Sequence, residues 1–183
     1  MSSLIGKSTR LRALEPEDLE ILYAWENNES LWQYGQTLQP FSKDVLKKYL
    51  STVHLDIFET KQVRFTVETL ESPLTPIGLI DLFDFDAQNL RAGIGILIGE
   101  ENYRQKGYGK DALATLCSYA FKTLLLNQLY CSVRESNKSA VKLFTSAGFR
   151  QTGIRKNWLK LRAGWEDELF FQLLESDWFA KTE

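Results

Sequence analysis

The stretch of densest chemical content is Arg104-Gln105-Lys106-Gly107-Tyr108-Gly109-Lys110, which lies between an extended segment and a long amphipathic one. Two glycines at i and i+2 let the backbone turn its N–H groups toward one point, and a helix starting there adds the positive end of its dipole. Arg104, Lys106 and Lys110 concentrate positive charge in a chain whose formal net charge is -2. Such a loop suits a polyphosphate.

Two nucleotide motifs compete for that loop and neither fits. A Walker loop needs Ser or Thr after Gly-Lys to hold magnesium, whereas Gly109-Lys110 is followed by Asp111, a charge that repels phosphate. Gly107-Tyr108-Gly109 with Ala112 matches G-x-G-x-x-A, but Gly99 to Lys106 separate it from the strand. Too few residues follow Glu135 for a doubly wound sheet, so an NAD(P)-binding protein is the weakest of the functions weighed. Taken alone, the loop also reads as a plain turn with solvated charges.

The elements around the loop follow from periodicity. Thr9 to Leu14 alternates as a short strand, and Glu15-Pro16-Glu17-Asp18 places a proline and three carboxylates where a helix begins, predicting a helix through Leu22 and Trp25. An irregular aromatic stretch, Ser30 to Phe41, precedes a helix opened by Ser42 with Val45, Leu46, Tyr49 and Leu50 on one face. This helix pair is expected to wall a cleft. Val63 to Val67, Ile77 to Asp84 and Ala92 to Ile98 form an antiparallel meander with turns at Ser72–Pro76 and Asp86–Asn89. From Lys110 the apolar period becomes helical through Leu113, Leu116, Cys117, Ala120, Phe121 and Leu124. A short buried strand, Leu129 to Val133, leads to a helix capped by Asn137 and ended at Gly148, and Thr152–Leu161 and Glu168–Leu174 close as a hairpin around Arg162-Ala163-Gly164. The expected fold class is α/β (α+β), a mixed, partly antiparallel central sheet flanked by helices, with residues 1–183 as a single domain.

The bulk properties narrow the function. At 183 residues, 44% hydrophobic and 25% charged, the chain is an ordinary globular protein large enough for a full core. Balanced charge, 22 basic against 24 acidic side chains, argues against nucleic acid or anionic lipid as partner. Cys117 and Cys131 lack metal spacing and His54 is the lone histidine, so no metal, Cys/His nucleophile pair or disulfide framework is expected and both cysteines read as core. No long apolar run or secretory leader is present, which makes a reduced, cytoplasmic protein the expectation.

Two separated motifs carry a resemblance over nearly the whole chain. The loop at Gln105-Lys106-Gly107-Tyr108-Gly109, followed by a helix, a strand and Asn137-Lys138-Ser139-Ala140-Val141-Lys142-Leu143-Phe144-Thr145-Ser146-Ala147-Gly148-Phe149, resembles the GNAT superfamily of acetyl-CoA-dependent N-acetyltransferases. Leu11 to Leu19 and Trp25-Glu26-Asn27-Asn28 are similar to its branch of ribosomal-protein N-terminal and spermidine N-acetyltransferases. The resemblance implies a GNAT-like sheet with splayed strands forming a cofactor cleft. It implies coenzyme A pyrophosphate on Arg104, Gln105, Lys106, Gly107, Tyr108, Gly109 and Lys110, and pantetheine along the strand carrying Ile96 and Ile98. Asn137 matches a residue contacting the same cofactor, alongside its role as a helix cap, and Phe144 matches the tyrosine that protonates the departing thiolate. The implied activity is acetyl transfer to a primary amine, a polyamine-like small molecule or a protein N-terminus, by direct attack on the thioester.

Two departures bear on mechanism. The family strand often carries Glu in Ala-Glu-Ile-Gly, where this chain reads Ala92-Gly93-Ile94-Gly95, and Phe144 has no hydroxyl. Replacement bases are Asp81 and Asp84, which strand alternation sets on opposite faces. Glu26 is a further acidic candidate for a cationic acceptor, and His54 reads as a surface or capping residue. Trp25, Trp32 and Trp158 fall in segments that line the acceptor side in this branch, though ordinary packing explains them too. A non-catalytic acyl-CoA-binding sensor or pseudoenzyme is the alternative that the departures motivate. Exposed strand edges make a homodimer the expected assembly.

Overall fold

A computed structural model describes residues 3–32, 37–52, 55–161 and 164–182. His54, residues 33–36 of the aromatic stretch, and Arg162 and Ala163 of the final turn lie outside the described residues. One seven-stranded sheet organises the molecule: β1 (Thr9–Ala13), β2 (Val63–Thr69), β3 (Pro76–Asp86), β4 (Arg91–Ile98), β5 (Gln128–Arg134), β6 (Arg150–Leu161) and β7 (Gly164–Leu174), in the order β1-β2-β3-β4-β5-β7-β6. Every neighbouring pair is antiparallel except β4–β5.

Seven α-helices are described: α1 (Leu19–Glu26), α2 (Glu29–Trp32), α3 (Lys43–Leu50), α4 (Ile57–Thr60), α5 (Tyr108–Lys122), α6 (Lys138–Ala147) and α7 (Glu175–Thr182). The alternation of β2 and β3 sorts their side chains onto two cores. Phe65, Val67, Ile80 and Leu82 join Ile94 and the buried stripe Leu113, Leu116 and Phe121 of α5. On the other face Leu79 packs with Leu22, Trp25, Leu31, Leu46 and Leu50 of α1, α2 and α3. The polar partners on that second face, Arg64 and Asp81, are cross-strand neighbours.

The elements match the periodicity apart from a few differences, among them the single turn α4 and a β7 that begins at Gly164, four residues before the alternation of Glu168–Leu174. The long helix begins at Tyr108, two residues before the apolar repeat announces it, because Gly107 at φ +94° already serves as its N-cap. The aromatic stretch holds the single turn α2, too short to show a period. A C-terminal helix, α7, follows the last strand and buries Trp178, 6.2 Å from the Phe121 ring. Among the described residues, no helix is long and apolar enough to cross a membrane.

Candidate functional site

The site begins where the sheet opens. β4 and β5 pair only at Arg91↔Gln128, Ala92↔Leu129 and Gly93↔Tyr130, and beyond Gly93 they part. Residues 94–98 of β4 therefore present an unpaired backbone edge, with the rest of β5 as the opposite wall. Ile96 and Ile98 lie beneath the start of α5, their side chains within 3.6–4.0 Å of the point where a Cβ on Gly109 would sit.

Above that opening the loop has the shape the glycines permit. Gly107 takes φ +94° with nothing within 4 Å of a would-be Cβ, so its backbone conformation, not crowding, demands glycine. Gln105 is also left-handed, at φ +59°. Lys106 and Lys110 are exposed, and among the described residues neither forms an ion pair with a carboxylate. Arg104 behaves differently: its Nε donates to the Ile98 carbonyl at 2.9 Å and its Nη2 to the Gly99 carbonyl at 3.0 Å. It thus fixes the loop to the end of β4 while both N–H groups of Nη1 stay available. Open space, a helix N-terminus and two cations together fit a pyrophosphate.

Asp111, expected to repel phosphate, is turned the other way. Its carboxylate accepts the N–H groups of Lys7, Ser8 and Thr9 at 2.9 Å each, and the Thr9 hydroxyl at 2.7 Å. Burial pushes its pKa up, but these hydrogen bonds outweigh it and hold the group ionised below its ordinary range. Tyr108 donates its hydroxyl to Glu71 at 2.7 Å, which fixes the residue between the two glycines.

Asn137 caps α6 by accepting the Ala140 N–H at 3.1 Å on Oδ1. The cap uses the oxygen and leaves the Nδ2 amide as a donor. Phe144 is buried, 4% exposed, with its ring 5.2 Å from Phe149 in an edge-to-face arrangement. It serves the core and carries no proton.

On the opposite face of the sheet, Trp25, Glu26, Leu31, Trp32, Thr37, Ile96 and Leu97 enclose a pocket of about 120 Å³. Three of the four residues expected on the acceptor side meet there. Trp25 is buried, lies against Gly99 and donates its indole N–H to Glu100 at 2.9 Å, and Trp32 donates its own to the Glu26 carbonyl at 2.7 Å. Asn27 holds the returning chain by a pair of hydrogen bonds to the Phe41 backbone. Trp158 does not line this pocket. It stands on β6, 58% exposed, its ring 5.3 Å from the Arg155 guanidinium.

The two candidate bases separate here. Asp81 lies over β4: its Oδ1 is 2.6 Å from where a Cβ on Gly95 would be, so glycine makes the room. Its Oδ2 accepts Gln62 Nε2 at 2.9 Å and Arg64 Nη2 at 3.1 Å. Asp84 is exposed, at φ +49° within an irregularity between Phe83 and Asp86, and its Oδ2 is 3.4 Å from the Tyr130 hydroxyl. The expectation of opposite faces assumed an unbroken strand. The irregularity brings Asp84 to Tyr130, whose ring packs edge-on against Phe83 at 6.2 Å, on the same face as Asp81.

Gly93 has a similar explanation. A Cβ there would lie 2.3 Å from the Phe83 ring, so an aromatic from β3 occupies the place where the family strand often carries Glu, while Asp81 brings a carboxylate to the next glycine. Sequence reasoning missed Arg64, Tyr49, Phe83 and Tyr130. For Arg64 a signal existed: β2 alternates within a strand covered on both faces, and a charge in such a strand needs a partner. Among the described residues, no group of three or more His, Cys, Asp or Glu is arranged to hold a metal ion.

A sheet opened between two parallel strands, with a glycine-rich helix start above the opening, is the architecture of an acetyltransferase. Residues 9–150 match the acetyltransferase (GNAT) domain, and the chain belongs to that family of acyltransferases. It is similar to the spermidine N(1)-acetyltransferase of Escherichia coli strain K12, 31% identical over 146 residues that cover 80% of this chain and 75% of the relative. An uncharacterized N-acetyltransferase, p20, of Bacillus licheniformis is 26% identical over 97% of this chain and 99% of its own. The crystal structure of spermidine N-acetyltransferase from Vibrio cholerae in complex with CoA and spermine superposes with a TM-score of 0.84, at 25% identity over 93% of this chain and 98% of that one.

Proposed function

We propose that residues 1–183 act as one domain that transfers an acetyl group from acetyl-CoA to a primary amine entering the pocket beside Glu26. The divergence of β4 from β5 after Gly93↔Tyr130 carries this reading, because it frees a strand edge at the foot of a phosphate-binding helix start. Backbone N–H groups of residues 105–110 and the cations Lys106 and Lys110 bind the pyrophosphate, residues 94–98 pair with the pantetheine amides, and Asn137 Nδ2 donates to the same chain.

An alkylamine of pKa near 10.4 is neutral only about one part in a few thousand at pH 7, a handicap of roughly 4 to 5 kcal/mol. Asp81 takes that proton on Oδ1, the oxygen that neither Gln62 nor Arg64 occupies. Glu26 draws the ammonium form into the pocket, and Trp25 and Trp32 exclude water from the amine once its proton has left. Acetyl-CoA supplies the thioester carbonyl that the amine attacks, and the coenzyme leaves as thiolate. A thiol of pKa about 8.5 departs at a penalty of only about 2 kcal/mol at pH 7, so Phe144 in place of a tyrosine is tolerable.

The spermidine relatives support an aliphatic amine as acceptor, and the two buried free thiols, Cys117 and Cys131, support work in a reducing cytoplasm. The exposed edge strand β6 supports a homodimer, which sedimentation measures directly. Amine-dependent thiol release from acetyl-CoA across polyamines, aminoglycosides and peptide N-termini tests the function. Tight coenzyme A binding with no acetylation of any of them would make the protein an acyl-CoA sensor.

A further inference from the structure

We infer that Arg64 is a positioning residue that aims the Asp81 carboxylate and limits the acceptor site to one positive group. The inference rests on the proposed amine acceptor. Arg64 projects from β2 into the space between the sheet and helices α1 and α3, and its side chain is only 25% exposed. Its Nη2 lies 3.1 Å from Asp81 Oδ2 and its Nη1 3.5 Å from Glu26 Oε1, so one guanidinium spans a carboxylate of the cleft floor and one of the pocket wall. The guanidinium carbon sits 5.6 Å from the centre of the Tyr49 ring.

The charged and titratable groups facing Arg64 are Glu26 from α1, Tyr49 from α3 and Asp81 from β3, and Gly95 of β4 adds none. Burial opposes the Arg64 charge, yet the groups facing it, Asp81 first and then Tyr49 and Glu26, outweigh burial and raise its pKa. Burial likewise pushes the Tyr49 phenol up, so that group stays neutral. Two carboxylates and one guanidinium leave a single net negative charge. One ammonium group neutralises it; a second has no counter-charge within the cluster.

The geometry adds a directional effect. Arg64 and Gln62 occupy Oδ2, so the only Asp81 oxygen free to accept a proton is Oδ1, the one over Gly95 at the strand opening. Removing the guanidinium leaves Oδ2 held by Gln62 alone and raises the local charge to two negatives. Lysine retains the charge and loses the forked contact, because an ammonium is a point charge on a flexible stem.

The test compares Arg64→Gln and Arg64→Lys using n-butylamine and 1,4-diaminobutane as acceptors, with coenzyme A affinity by calorimetry and a thermal melt for each variant. Arg64→Gln is expected to lower kcat for the monoamine at least tenfold and to raise the diamine-to-monoamine ratio of kcat/KM at least fivefold, with coenzyme A affinity within twofold. Arg64→Lys is expected to restore the wild-type ratio but not kcat. An unchanged ratio in Arg64→Gln, or identical behaviour of the two variants, overturns the inference and leaves the acetyltransferase reading standing. A wild-type protein that releases no thiol with any amine overturns both. Should Arg64→Gln not fold, Arg64→Lys decides: kcat down at least fivefold at an unchanged ratio supports the inference, and an unchanged kcat overturns it.

Discussion

The two sides of the strand opening are built on different principles. The proposed cofactor side is made from backbone: a left-handed Gly107, the N–H groups that start α5, and the unpaired edge of residues 94–98. Side chains there are mostly turned to structural duty, Arg104 to the carbonyls of Ile98 and Gly99, Asp111 to the N-terminal strand, and Phe144 to the core. The proposed acceptor side is made from side chains drawn from α1, α2, α3, β2 and β3, among them Glu26, Trp32, Tyr49, Arg64 and Asp81. A backbone site changes only when glycine geometry changes, whereas a side-chain site can be retuned one residue at a time. The contrast explains how one cofactor scaffold can serve different amines.

Substitutions can break this contrast from either side. The largest effect is expected for Asp81→Asn, which removes the proton acceptor: kcat should fall on the order of 10²- to 10⁴-fold while coenzyme A affinity holds. Steady-state rates with calorimetry on the same protein check it, and a kcat within threefold of wild type assigns the base elsewhere. Gly107→Val comes next, since a β-branched residue at φ +94° costs roughly 1–3 kcal/mol and its Cβ projects into the space left for phosphate. Coenzyme A affinity should drop at least about 100-fold with the circular dichroism spectrum unchanged. Wild-type affinity in that variant would show that the loop is not the phosphate site.

Trp32→Ala should act on the acceptor alone, raising its KM about tenfold with kcat within about twofold, the loss of one aromatic wall. Equal loss of coenzyme A affinity would mean that the two sides are not separable. The smallest effect lies beside both. Asp18 and Glu68 are buried, but hydrogen bonds and charge from Arg12, with Arg10 on Glu68, outweigh burial and lower both pKa values. Groups whose folded pKa is depressed stabilise the fold above their unfolded values, about 3.9 and 4.3, and lose that contribution as pH falls through the folded ones. Urea midpoints should therefore fall below about pH 4.5, and Asp18→Asn should flatten the fall by about half. An identical slope in the variant would remove this network from the account.

The same division decides what could be read in the sequence. The loop was legible because its determinants are consecutive: Gly107, Gly109 and the onset of helical period occupy one short stretch. The meander was legible from alternation, and Asn137 and Gly148 from cap chemistry. Asp81 and Asp84 could be named but not ranked, since an irregularity at Phe83/Asp86 defeats the period of two. Arg64 lies 38 positions from Glu26 in the chain numbering and 17 from Asp81, separations at which no spacing rule operates. Trp158 stands apart for another reason: residue type and segment suggested the acceptor wall, whereas its place on the edge strand β6, away from the pocket beside Glu26, depends on strand order that no local pattern carries.

The Asp111 carboxylate bears on more than local charge. It moors the first turn of α5 to residues 7–9, and Gly6 approaches so closely that a Cβ would lie 2.4 Å from its Oδ2. The start of α5, the proposed phosphate site, is thus tied directly to the opening strand. A substitution at residues 7–9 therefore acts on the start of α5, a coupling across more than a hundred positions of sequence.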